Sequence, residues 1–192
     1  MFAQTFTTAF LIAAAVAAPT GPSTTTGTKT PTRTVPLTGV THTVAAGRGA
    51  LSFEPNNIVA EIGDVVEWHF APRNHSVAQS SFGEPCKPLK DAATGHETGF
   101  FSGFNFAVQE GQSANVFQVV VEDKTPIWFY CSQTNGNHCQ NGMTGVVNQN
   151  FNSPNTLAAY NALAKVSGTS VSPAVQQPVG GVIPNPNPLS GF

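Results

Sequence analysis

The chain has 192 residues, room for one domain plus tails, and roughly 100–130 folded residues can still bury a sizeable core. Only 9% of residues are Asp, Glu, Lys or Arg, and the net charge is −2, so there is no basic face for nucleic acid and no long acidic run. Low charge with 18 Gly, 15 Pro and much Thr, Ser and Asn suits a β-rich secreted protein better than a cytosolic helical one.

In chain order, "FTTAFLIAAAVAA" is an apolar run of signal-peptide length, too short to cross a bilayer. Small residues at Ala15, Val16 and Ala17 place a cut near Ala17 or Ala18, so residues 1–17 read as a signal peptide, although no Lys or Arg precedes the run. No other stretch could span a membrane. Residues 18–41 are Thr/Pro-rich without a period and read as an extended, O-glycosylated linker.

Residues 42–165 carry the folded domain. "HTVAAG", "ALSFEP", "NIVAEI", "VVEWHF", "HSVAQS", "NVFQVVVE", "PIWFYC" and "TGVVNQ" are short β-branched or aromatic runs, mostly separated by Gly, Pro, Asn or Asp. Regular short strands of this kind predict an all-β sandwich or barrel. Between Phe82 and Phe106 lies a less regular excursion whose phenylalanines read as core plugs. "SPNTLAAYNALAKV" predicts one short amphipathic helix, with Ser153 as N-cap and Leu157, Tyr160, Leu163 and Ala164 on the buried face. Residues 166–192 are Pro/Gly-rich and are expected to stay disordered, and they lack the run of about ten or more apolar residues of a GPI signal.

Three cysteines in a secreted chain imply one disulfide and one remaining thiol, which needs a reason to exist in an oxidising compartment. Cys131 ends "PIWFYC", whose alternation buries either Ile127, Phe129 and Cys131 or Trp128 and Tyr130. His138 and Met143 follow on the next loop, and Met143 is the only methionine besides the initiator. Thiolate, imidazole and thioether together suit a soft or borderline ion, above all copper. Such a site needs a second imidazole. His75 opens "HSVAQS" at the expected sheet end and is the best placed; His69 is second, while His42 and His96 lie in poorer positions. A zinc site of His75, Cys131, His138 and Cys139 is acceptable by residue type but leaves Cys86 unpaired.

"GDVVEWHFAPRNHSV" followed by "FYCSQTNGNHCQNGM" resembles the cupredoxin superfamily, closest to the phytocyanin-like, extracellular serine-rich-type proteins that fungi secrete, over about residues 42–148. The resemblance implies a Greek-key cupredoxin β-sandwich holding one type 1 copper. His75, Cys131 and His138 would be the trigonal ligands, Met143 the weak axial one, and the backbone amide of Ser76 would bond the Cys131 sulfur. Cys86 would pair with Cys139. The loop from Cys131 to His138 is longer than phytocyanins usually have.

The expected function is one-electron transfer by a secreted, monomeric blue-copper protein, at or near a fungal cell surface, with an unidentified redox partner. Copper sequestration or delivery, and a cell-wall structural role with a stabilising copper, are the alternatives. No enzyme is expected: there is no His-x-His, cleavage would not expose an N-terminal His, and four protein ligands leave no open position. The sequon at Asn74, beside a ligand on a tight turn, is expected to be unoccupied.

Overall fold

The structure, a computed structural model, describes residues 35–189; the signal-peptide expectation over 1–17 and most of the linker lie outside them. Among the described residues, nine strands and one helix follow in chain order: β1 Thr41–Ala46, β2 Phe53–Glu54, β3 Asn57–Ile58, β4 Val65–Phe70, β5 Ala78–Ser80, β6 Asn115–Val120, β7 Ile127–Tyr130, β8 Thr144–Val147, α1 Leu157–Lys165 and β9 Gly181–Pro184. Five strands form one sheet in the order β2-β1-β4-β6-β9, and four form the other in the order β3-β8-β7-β5. β1 runs parallel to β4 and β3 parallel to β8, while the remaining ladders are antiparallel.

Side-chain alternation explains the sandwich. Val66, Trp68 and Phe70 of β4 point one way and meet Phe117 of β6 and Phe129 of β7 in one core cluster. Trp68 sits within 5.3–6.0 Å of the rings of Phe100, Phe117 and Phe129, in tilted or edge-on contacts. The excursion phenylalanines act as expected: Phe100 and Phe106 plug this core, and Phe101 packs in a second cluster.

β7 answers its own ambiguity by burying both faces. Phe129 and Cys131 enter the sandwich core. Trp128 turns to the other side and stacks on Tyr160 of α1 at 4.9 Å, and Tyr130 packs against Cys86 and Cys139. The helix therefore covers the four-stranded sheet, with Tyr160 and Ala164 buried; Leu163 is exposed rather than part of the buried face. Its N-cap is Thr156, not Ser153. Ser153 is spent instead on a turn, accepting from the Asn155 N–H, while Gln149 Oε1 accepts from Leu157 N–H and sets the helix start.

Two boundaries depart from expectation. Thr38, inside the expected linker, bonds Gly63 and Asp64, and β1 already begins at Thr41. The C-terminal segment is not free chain either. Val179 exchanges backbone hydrogen bonds with Phe101, and β9 pairs with β6 from Gly181 to Pro184. The physical reason is close approach. A Cβ on Gly180 would lie 2.3 Å from the Phe117 ring, so only glycine lets the backbone cross it and reach the sheet edge.

Candidate metal centre

One pole of the sandwich gathers the ends of β4, β7 and the start of β8. After β4 the chain turns through Ala71–Asn74 and delivers His75; Cys131 directly follows β7; the loop 132–143 delivers His138 and Met143. That loop is held by its own backbone. His138 N–H donates to Gln133 O at 3.2 Å, Met143 N–H to His138 O at 2.9 Å, and Cys131 N–H to Met143 O at 3.0 Å. Cys139, the residue after His138, is disulfide-bonded to Cys86, with Cα atoms 5.8 Å apart, which anchors the loop to the excursion.

His75, Cys131 and His138 each offer a donor atom within 4.8 Å of the others, and all three are buried. His75 Nδ1 lies 3.2 Å from His138 Nδ1, which lies 3.4 Å from Cys131 Sγ. The other ring nitrogen of His75, Nε2, faces the Pro72 carbonyl at 3.3 Å; a proton there leaves Nδ1 bare toward the cluster. Ser76 N–H donates to Cys131 Sγ at 3.4 Å. Met143 is fully buried in the same core cluster as Cys131.

Electrostatics favours neutral donors. Burial holds His75 below the usual histidine range, and burial reinforced by His75 takes His138 down to about 4. Burial pushes the Cys131 thiol up to about 11, against the hydrogen bonds from Ser76 and Gln133. A thiolate here needs a cation beside it. Two neutral imidazoles and one ionisable sulfur converging on a buried point form a donor set that fits one copper ion. The zinc alternative loses Cys139 to the disulfide, and Cys131 is the one free cysteine.

The other histidines are placed elsewhere. His69, the second choice, is buried on β4 between Glu67 Oε1 (2.6 Å) and Gln112 Oε1 (2.9 Å). His42 bonds Asp64, and His96 is exposed. Asn74, the sequon residue, lines a cavity of about 660 Å³ beside His75 and His138. Gly47 is a site residue that sequence reading missed. A Cβ there would stand 2.1 Å from His75 Nε2, and its φ of +82° is a glycine conformation; "AAGRG" directly after a strand was the available signal.

These features define a class, a small β-sandwich with a buried His-Cys-His cluster at one pole. No family model matches the chain. It is 36% identical over 143 residues to an "Extracellular serine-rich protein" of Arthroderma benhamiae, covering 72% of this chain and 52% of that one. It is 33% identical over 146 residues to "Probable GPI-anchored cupredoxin-1" of the same organism, covering 73% of this chain and 70% of that one. The chain belongs to the cupredoxin family. It thus spans about half the length of the first relative and over two thirds of the second. Among solved structures, auracyanin A of Chloroflexus aurantiacus superposes at a TM-score of 0.38 with 13% identity, over 56% of this chain and 96% of that one. Pseudoazurin of Hyphomicrobium denitrificans gives 0.36 with 16% identity, over 56% and 73%.

Proposed function

We propose that this is an extracellular type 1 copper protein that carries one electron at a time, with His75, Cys131 and His138 as trigonal ligands and Met143 as the axial one. The observation that carries the reading is the convergence of His75 Nδ1, Cys131 Sγ and His138 Nδ1 within 4.8 Å in a buried pocket. Bound copper supplies a one-electron couple between Cu(II) and Cu(I). The chain's own residues do the rest. Pro72 and Gly47 fix the His75 ring, the Ser76 amide holds the sulfur, and the disulfide steadies the loop that bears His138. The three donors are 0–8% exposed, so water is largely excluded from the sulfur and both rings. With four side chains assigned to the ion no position is left for a substrate, which supports a carrier rather than an enzyme. The names of the two fungal relatives support a location outside the cell or at its surface. Among the described residues no helix is long and apolar enough to cross a membrane.

The test is colour. Cu(II) added to the metal-free protein should give an intense blue thiolate-to-copper band, and Cys131→Ser should abolish it. A colourless, tightly bound zinc form with no copper band would refute the assignment.

A further inference from the structure

A row of hydroxyls leads away from the Cys131 sulfur. Ser76 Oγ lies 4.0 Å from Cys131 Sγ and 2.9 Å from Ser132 Oγ, and it accepts the Ser132 N–H at 3.1 Å. Ser172 donates its hydroxyl to Ser132 Oγ at 2.9 Å. Ser76 and Ser132 are buried, while Ser172 is half-buried on the C-terminal segment. That segment is pinned on the N-terminal side of Ser172: Val171 N–H donates to Cys86 O at 2.9 Å, and Val171 O accepts the Tyr130 hydroxyl at 2.5 Å. Pro173, on the other side, is buried.

Each hydroxyl has one proton, so the row has a direction. If Ser172 donates to Ser132, then the Ser132 proton goes to Ser76, and the Ser76 proton is left for the sulfur. The opposite direction aims the last proton outward and leaves the sulfur to the backbone amides of Ser76 and Gln133. A metal-bound thiolate is the one anionic acceptor in the row, and it selects the first direction.

We infer that Ser172 is a positioning residue for the metal centre: through Ser132 and Ser76 it orients a hydroxyl hydrogen bond onto the Cys131 sulfur, beside those from the backbone. This inference rests on the copper reading above. A hydrogen bond draws electron density from sulfur, weakens its donation to the oxidised ion and so favours the reduced one. The C-terminal segment thereby tunes the site without touching the ion.

Reduction potential and visible spectrum of the copper-loaded full chain test the relay. Ser172→Ala should lower the potential and shift the thiolate band, and Ser172→Thr, which keeps the hydroxyl, should hold both near wild type. In a Ser132→Ala background the row is already cut, so Ser172→Ala should add nothing. An unchanged potential and band in Ser172→Ala, or the same shift persisting in the Ser132→Ala background, overturns the relay. So does a lower melting temperature with potential and band unmoved, since that marks a purely structural serine. A metal-free readout separates the two readings. Cys131 is the one free thiol, so its infrared S–H stretch is a single band, and Ser172→Ala should move it. A colourless wild type whose S–H band still responds to Ser172 defeats the copper reading and keeps the relay. A blue wild type indifferent to Ser172 in every readout defeats the relay alone.

Discussion

At Gly47 the backbone touches the imidazole it serves. The Cβ of an alanine would collide with the His75 ring, and φ of +82° disfavours any residue with a side chain. Gly47→Ala should therefore destabilise the metal-free fold by at least about 1 kcal/mol. Displacing the His75 ring should weaken copper binding about 10–100-fold, the range seen when partners of a ligand are removed. Thermal melts and a metal titration measure the two effects separately. Asp64 offers a pH test at the far pole. Its carboxylate accepts from Thr38 Oγ1 at 2.5 Å, His42 Nε2 at 2.7 Å and Glu61 N–H at 2.9 Å, and these bonds hold its pKa at about 2, below the usual carboxylate range. A carboxyl with a lowered folded pKa contributes stability that is complete above the unfolded value and lost as pH falls through the folded one. The wild type should thus lose stability between about pH 4 and pH 2 more steeply than Asp64→Asn, and the variant should be the less stable at pH 6. Denaturant midpoints across that range decide it, and parallel curves would count against this role.

Elements explain which parts of the molecule were readable in the sequence. Cys86–Cys139 closes a span of 53 residues and joins the excursion to the ligand loop. Replacing both cysteines by alanine should cost about 2–5 kcal/mol, and the loosened loop should broaden the copper spectrum. Chemical denaturation and electron paramagnetic resonance read the two consequences. The eight strands through β8 were legible because alternation of β-branched and aromatic residues is a local signal. So was the grouping of His75, Cys131 and His138, since Cys131 and His138 are seven residues apart and His75 follows a turn. What stayed hidden is non-local. Ser153 looks like a helix cap until Gln149 is seen to reach the Leu157 amide. "VGGVIP" looks like loose chain because its pairing partner, β6, is more than sixty residues upstream and Gly180 matters only against the Phe117 ring.

For the whole molecule the open choice is between carrying electrons and handling copper, and Met143 separates them. A weak thioether supports Cu(II) poorly and so favours Cu(I). Met143→Gln, a harder oxygen donor, should lower the reduction potential while the blue band persists. Voltammetry of both forms, with electron self-exchange of the wild type, checks it. Slow exchange and a potential indifferent to residue 143 would favour storage.

Strand direction has one more consequence. The described chain enters the sandwich at the Asp64 pole, where Thr38 bonds Gly63 and β1 starts opposite Val65. β9, antiparallel to β6, runs in the same sense as β1 and β4 and hands over at Asn185, whose N–H donates to Ala114 O near the metal pole. The two ends of the domain are thus handles at opposite poles. Held from upstream of β1, the molecule points its copper pole outward like a lamp on a stalk. Held from downstream of β9, it turns that same pole back toward whatever holds it.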